Sequence, residues 1–288
     1  MGESRRVLLL GGSGMLGSAL RADCPPGVTL LAPTHGELDA TDPTALAAEI
    51  ELARPEWVIN CVAYTAVDLA EREPERAQVL NAGVPELLGE LAAPLGLRVL
   101  HVSTDYVFGH EATRPRREDD ACAPTSVYGR SKLAGERALL ASGAESLIVR
   151  TAWLYGDPGK NFPRTMWERA TSGQASRVVD DQRGASTAAK DLARWCWQLI
   201  ARDARGIVHA SNAGEASWAD VAEYVYAAAG RVGLVTRVSS AEYPTPAERP
   251  RYSVLDGSRL EQLLGQPRRH WQAALDEYLQ VLQQGTRA

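Results

Sequence analysis

Tyr128 and Lys132 stand four residues apart in the run Tyr128-Gly129-Arg130-Ser131-Lys132. On a helix that spacing puts both side chains on one face, so a phenol and an ammonium can share a pocket. A free tyrosine titrates near pH ~10. A fixed cation beside it favours phenolate and is expected to draw that value toward the working pH. The phenol then becomes a general acid for an alkoxide forming on a ketone. The plainer reading is two surface residues on a helix. Against it stands position: the pair falls on the helix after the fourth predicted strand, downstream of a glycine-rich first loop. The fourth strand ends in Ser103-Thr104-Asp105-Tyr106. Ligands of parallel α/β folds bind at the carboxyl ends of strands, where the Thr104 hydroxyl could polarise a substrate carbonyl. Its plainer role is a turn cap.

Val7–Leu10 runs into Gly11-Gly12-Ser13-Gly14-Met15-Leu16-Gly17, a G-x-x-G-x-x-G pattern opening a helix. Gly11 permits a tight turn, Gly14 removes a Cβ that would block a pyrophosphate, and Gly17 lets the helix pack closely. The helix N-terminus offers free N–H groups and a positive dipole end to phosphates. A glycine-rich turn without a ligand is the bland alternative; its place between a first strand and a first helix favours a dinucleotide. The second strand ends in Leu31-Ala32-Pro33-Thr34-His35, with no acid to hold a ribose 2′-hydroxyl. A 2′-phosphate would meet no carboxylate there, and Thr34 or His35 could bond it. NADPH is therefore expected as cofactor, with NADH possible. Asp42, before Pro43, reads as a helix N-cap.

These residues need a frame. Predicted strands are Arg6–Leu10, Val28–Leu31, Trp57–Cys61, Val99–Ser103 and Ser146–Arg150, alternating with helices Met15–Ala22, Pro43–Ala53, Pro74–Ala93 and Val127–Ala141. Val-, Ile- and Leu-rich strands with helical crossovers predict an α/β fold, a Rossmann-type doubly wound parallel sheet with a smaller C-terminal α/β substrate domain. The expected division is a dinucleotide-binding domain over 1–150, with later segments returning to it, and a mainly substrate-binding domain over 151–288. The second half is less regular. Helices are predicted at Phe162–Thr171, Thr187–Ala201, Trp218–Ala229, Gly257–Leu264 and Trp271–Gln283, and a strand at Ile207–Ala210. The loop Gly109–Pro124 reads as a lid or substrate wall. No repeat is visible.

The chain has 288 residues and a net charge of −5, which disfavours a nucleic-acid partner. Cys24, Cys61, Cys122 and Cys196 lack C-x-x-C spacing and read as thiols of a reducing compartment. The apolar run after Arg6 is too short for a signal-peptide core or a membrane span, so no membrane association and a cytoplasmic location are expected. His35, His101, His110, His209 and His270 show no ligand spacing; His101, inside a predicted strand, reads as a satisfied core residue.

Together the glycine loop, Thr104 and the Tyr–Lys pair resemble the extended short-chain dehydrogenase/reductases. Longer segments are similar to the subgroup that reduces dTDP-4-dehydrorhamnose: Asn60-Cys61-Val62-Ala63-Tyr64-Thr65-Ala66-Val67-Asp68, Val79-Leu80-Asn81-Ala82, Val127 to Glu136, Arg150 to Gly156, Asn161-Phe162, Val179 to Ala185 and Pro244 to Pro250. The resemblance implies reduction at C4 of a dTDP-linked 4-keto-6-deoxysugar, with Tyr128 as acid, Lys132 tuning it and holding the ribose, and Thr104 polarising the carbonyl. It implies cofactor contacts at Gly11, Gly14, Met15, Leu16, Gly17, Asp39, Ala40, Ala63, Tyr64, Thr65 and Val102. Val67, Asp105 and Trp153 would meet the sugar, and Asn161, Gln182 and Arg249 the nucleotide and diphosphate. Arg249 also reads as a surface charge before Pro250, and Trp153 as core.

Some relatives hold Mg²⁺ with carboxylates at a dimer seam. The positions aligned with two of these are Ala19 and Lys190, unsuited to a hard cation, so no metal is expected and the assembly is monomer or homodimer. The second strand and the loop Gly109–Pro124 also depart from the pattern, which leaves a ketoreductase for another natural-product deoxysugar open. A 4,6-dehydratase or epimerase would carry Thr-Asp-Glu after the fourth strand, where Tyr106 stands here. A non-catalytic regulatory subunit could keep the glycine loop but would not need Thr104, Tyr128 and Lys132 intact.

Overall fold

The computed structural model describes residues 4–109 and 112–285. The opening Met1-Gly2-Glu3 and His110 of the sequence reading lie outside the described residues.

Among the described residues the main sheet has six strands, all parallel: β1 (Arg5–Leu10), β2 (Val28–Leu31), β3 (Trp57–Asn60), β4 (Arg98–Thr104), β5 (Glu145–Thr151) and β6 (Gly206–His209), in the order β6-β5-β4-β3-β1-β2. Side chains alternate across a strand, and both faces of this sheet are covered. Val7, Leu9, Trp57 and Ile59 pack with α1 (Met15–Ala22) and the helix Ala189–Ala201 through Leu16, Leu20, Leu192 and Cys196. Leu8, Leu10, Val58 and Val99 pack with helices Pro43–Ala53 and Val84–Ala92 through Leu46, Ile50 and Leu88. That two-faced burial explains why the strands read as apolar runs.

The order reverses between β1 and β3, so the turns leaving their carboxyl ends diverge and open a crevice. Helix Val127–Ala141 lies beside it. Ser126 caps this helix by accepting the Gly129 N–H at 3.1 Å. Tyr128, Ser131, Lys132, Gly135, Glu136 and Leu139 make its buried stripe at helical spacing.

The region read as one helix over Pro74–Ala93 is broken by a π-turn at Val79–Gly83. The wider turn brings Asn81 against the segment after β3. Its Oδ1 accepts the Tyr64 N–H at 2.8 Å, while its Nδ2 donates to the Tyr64 carbonyl at 3.1 Å and to Ser131 Oγ at 3.0 Å. Ser131 Oγ in turn donates to the Tyr128 carbonyl at 2.9 Å. One asparagine thus fixes the loop 63–65 to the helix that carries Tyr128.

Beyond β5 a second core gathers Tyr155, Met166, Trp167, Val225, Tyr226, Trp271 and Tyr278. Ser176–Val179 pairs in parallel with Val235–Val238, both strands absent from the sequence reading. Ala189–Ala201 and β6 return to the main sheet. The described part of the loop Gly109–Pro124 is pinned rather than lid-like. Arg116 exchanges backbone bonds with Val254 and Asp256, and Glu118 accepts the His209 N–H at 3.0 Å. No helix of the described residues is long and apolar enough to cross a membrane.

Candidate active site

The crevice is a cleft of about 530 Å³. Gly11, Gly14, Met15, Leu16 and Gly17 line one side, and Ala63, Thr65, Val67 and Val102 continue the wall. Thr104, Asp105, Tyr128, Lys132 and Trp153 line it as well. An adjoining cavity of about 310 Å³ is shared by Gly11 and Gly14 and extends to Pro33, His35, Asp39, Ala40 and Ala63.

The glycine loop follows the expected logic with one refinement. Gly11 has φ +77°, and a Cβ there would lie 2.9 Å from the Cys61 carbonyl carbon. A Cβ on Gly17 would come within 2.2 Å of the Gly11 carbonyl oxygen, so that glycine lets the helix sit on its own entry turn rather than on the strand. A Cβ on Gly14 would meet only that oxygen, at 3.4 Å, and would otherwise fill the space both cavities share. No side chain caps α1, whose first N–H groups are left to the cleft. The Ser103 and Thr151 hydroxyls, buried along the same cleft, have no partner among the described residues. An open cradle at a helix N-terminus, with free polar groups beyond it, fits the pyrophosphate and ribose of a dinucleotide.

Thr104 Oγ1 donates to Asp105 Oδ1 at 3.0 Å and accepts the Tyr106 N–H at 3.2 Å, so it does cap a turn as well as face the cleft. Tyr106 meets Tyr128 edge-on, ring centroids 5.4 Å apart. Lys132 Nζ donates to the Val102 carbonyl at 2.7 Å and lies 3.2 Å from His101 Nε2. Burial pushes Lys132 down to about 8, opposed by Glu136 and Cys61. The expectation for Tyr128 is corrected: burial pushes its phenol up to about 12, and only the hydrogen bond with Thr104 pulls the other way. Low dielectric around the ring outweighs any neighbouring cation. Burial also pushes Asp105 up to about 6, against hydrogen bonds from Ser253 and Thr104.

Five other expectations change. Tyr64 lines neither cavity; its ring packs beside Ala70, Ala77 and Tyr128, and its hydroxyl donates to Glu73 at 2.9 Å. Asn161 caps the helix Phe162–Thr171 and donates to the Gly156 carbonyl and Tyr278, which engages both ends of its amide. Gln182 is buried, donates to Ser240 at 2.9 Å and does not line the cleft. The Arg249 fork closes on Asp68 at 3.0 and 2.8 Å and on Thr245 at 2.6 Å, tying the proline-rich stretch to the helix Val67–Ala70. A guanidinium so occupied is a latch. At the end of β2, Glu37 folds back and accepts from Thr34 N and Oγ1 at 2.7 and 2.8 Å, so a carboxylate does stand there. Asp42 caps its helix as expected. Asp39 binds Thr41 N and Oγ1, bonds that hold its carboxyl below the usual range. Ala19 and Lys190 border a small cavity, where Lys190 pairs with Glu277.

Sequence reasoning missed Lys160 and Trp218, which also line the cleft. Trp218 carries no local signal, because only the second core brings it to Trp153. Lys160 directly precedes Asn161, and lacked a motif of its own.

A parallel sheet with a glycine-loop helix after β1 and a Tyr–Lys pair beside β4 is the layout of the extended short-chain dehydrogenase/reductases. The family model described as the RmlD substrate binding domain matches residues 5–284, and the chain belongs to that family. It is 43% identical over 284 residues to a probable dTDP-4,6-dihydroxy-2-methyloxan-3-one 4-ketoreductase of Streptomyces antibioticus, covering 94% of each chain. It is 43% identical over 283 residues to a dTDP-4-dehydrorhamnose reductase of Mycobacterium tuberculosis, covering 95% of this chain and 92% of that one. Among solved structures, dTDP-4-dehydrorhamnose reductase of Bacillus anthracis in complex with NADP superposes with a TM-score of 0.91 at 32% identity, over 96% of this chain and 98% of that one.

Proposed function

We propose that this protein is an NADPH-dependent reductase of the C4 ketone of a dTDP-linked 4-keto-6-deoxysugar. The observation that carries the reading is the convergence of Thr104, Tyr128 and Lys132 on the cleft that also receives the start of α1. The family and the names of its relatives support it.

When bound, the nicotinamide supplies the hydride. Gly11, Gly14, Met15, Leu16 and Gly17 would hold the pyrophosphate, and Asp39 and Ala40 the adenine side. Ala63, Thr65, Val102 and Lys132 would hold the rest of the cofactor. Thr104 polarises the C4 carbonyl, and Tyr128 gives its proton to the C4 oxygen. A phenol raised to about 12 is fully protonated at neutral pH, so the acid is loaded before the reaction begins. Val67, Asp105 and Trp153 frame the sugar. Lys160, the second lysine among the described residues of the cleft, is the group we assign to the diphosphate in place of Asn161, Gln182 and Arg249.

Residues 1–150 form the dinucleotide unit in this reading, with Ala189–Ala201 and β6 returning to it, and 151–288 serve mainly the sugar nucleotide. The net charge of −5 supports a small-molecule partner over nucleic acid. The four free thiols support a cytoplasmic protein, as monomer or homodimer.

The test is a purified sample given a dTDP-4-keto-6-deoxysugar and NADPH. Near-stoichiometric oxidation of the cofactor is expected. A dehydratase or epimerase would leave its amount unchanged, and a regulatory subunit would turn nothing over. The Streptomyces antibioticus relative favours a second reading, a 4-ketoreductase for another deoxysugar, which product analysis separates from rhamnose formation.

A further inference from the structure

His101 is not simply a satisfied core residue. Its Nε2 lies 3.2 Å from Lys132 Nζ, and its Nδ1 lies 3.1 Å from Asn60 Nδ2. Asn60 Oδ1 accepts the Val62 N–H at 3.0 Å. Asn60 and His101 are fully buried, so neither can fall back on bulk water, whereas Lys132, 2% exposed, borders the cleft.

The hydrogens in this chain can be counted. Because the Asn60 oxygen is held by Val62, the group facing His101 is the NH₂, a donor. Nδ1 must then accept. A neutral imidazole has one N–H, which is left on Nε2, pointing at Lys132. An ammonium has three donors and no acceptor, so it would set donor against donor. A neutral amine accepts that N–H and still donates to the Val102 carbonyl. Turning the Asn60 amide over only moves the conflict to the Val62 N–H. Charging the ring is no escape, because burial and then Lys132 hold His101 well below its ordinary value.

We infer that Asn60 and His101 are a positioning pair that disfavours the ammonium form of Lys132, so that this lysine exchanges its proton within the working pH range. The groups facing Lys132 are Tyr128 and Glu136 on its own helix, Cys61 beyond β3 and His101 on β4. Glu136 and then Cys61 pull toward the ammonium, and the Glu136 carboxylate is itself clamped by Arg150 at 2.6 and 2.9 Å. The catalytic consequence rests on the reductase reading. The Tyr128 O–H bond breaks as its proton passes to the C4 oxygen. An N–H bond of protonated Lys132 then breaks to restore the phenol, and the amine regains a proton from solvent.

The experiment is ¹⁵N NMR of the full unliganded chain, with Asn60→Asp beside the wild type. In the wild type the His101 ring is expected to carry its proton on Nε2, and Lys132 to titrate well below the ordinary value of about 10.4. Asn60→Asp keeps an oxygen for Val62 but sets an acceptor against Nδ1. The proton should move to Nδ1, and the Lys132 midpoint and the matching limb of the kcat/KM pH profile should rise by at least about one pH unit. A wild-type ring protonated on Nδ1 would overturn the inference, and that readout stands even if the variant does not fold. So would a variant whose ring proton moves while the Lys132 midpoint stays. Absence of turnover with both NMR results intact would strike the reductase reading alone.

Discussion

The indole of Trp153 stacks on that of Trp218, with centroids 3.7 Å apart and planes 10° from parallel. Gly184 also packs close to it, since a Cβ there would lie 2.5 Å from the Trp153 ring. Trp153 is thus clasped between two neighbours, and its backbone sits at φ +47°, a conformation that costs a bulky residue about 1–3 kcal/mol. These contacts surround the strained residue, and both indoles line the cleft. A stacked pair contributes about 0.5–1.5 kcal/mol beyond its area. Trp218→Ala is therefore expected to raise KM for the sugar nucleotide up to about tenfold while leaving KM for NADPH near its original value. Steady-state kinetics with each substrate varied will show it; an equal change in both would remove Trp153 from the sugar side.

Tyr128→Phe keeps the ring against Tyr106 and removes the proton. A positioned general acid contributes roughly 10²–10⁴ in rate. A loss of kcat in that range is expected, with NADPH still bound when followed by quenching of protein fluorescence. A variant that keeps near-full turnover would assign the acid to another group.

Asp105 ties the site to stability. Burial raises its carboxyl to about 6, against about 3.9 for the unfolded chain. Between those values the folded state holds a proton that the unfolded state has released, so stability falls as pH rises through the window and is flat above it. The full cost is about 3 kcal/mol. Asp105→Asn should remove that slope and leave the protein more stable than wild type at pH ~7.5, by about 1–3 kcal/mol. Denaturant titrations at several pH values decide, and a less stable variant at neutral pH would mean the carboxylate is needed ionised.

Arg249 and Asp68 should behave as one unit. If the pair is a latch, Arg249→Met and Asp68→Asn each loosen the stretch Pro244–Pro250, and the double variant is little worse than either. Contacting residues show coupling of about 0.5–3 kcal/mol. A double-mutant cycle on thermal or denaturant stability measures this. Strict additivity, with the sugar-nucleotide KM moved only by Arg249→Met, would return the guanidinium to the diphosphate.

What was legible in the sequence follows from what is local. Helices Met15–Ala22, Pro43–Ala53 and Val127–Ala141 agree residue for residue with the sequence reading, because apolar spacing and, in the latter two, the Asp42 and Ser126 caps are written in neighbouring residues. The glycine loop and the Tyr–Lys face were readable for the same reason. The π-turn at Val79–Gly83 was not, since its cause is Asn81 reaching Tyr64 and Ser131. The protein partners of Asn161, Gln182 and Arg249 were not legible, because an amide or guanidinium advertises binding in any sequence, while its partners come from distant segments. Trp218 and His101 entered the site only through tertiary neighbours. The direction of the Tyr128 shift failed likewise, because burial is a property of the whole fold.

The most direct measurement is transfer of label from NADPH deuterated at C4 of its nicotinamide, on the transferring face, to a dTDP-4-keto-6-deoxysugar. Deuterium at C4 of the product sugar, one per cofactor oxidised and formed roughly 10²–10⁴ times more slowly with Tyr128→Phe, is the expected result. Cofactor oxidation with no label at C4, or a sugar altered with no cofactor oxidised, would contradict it.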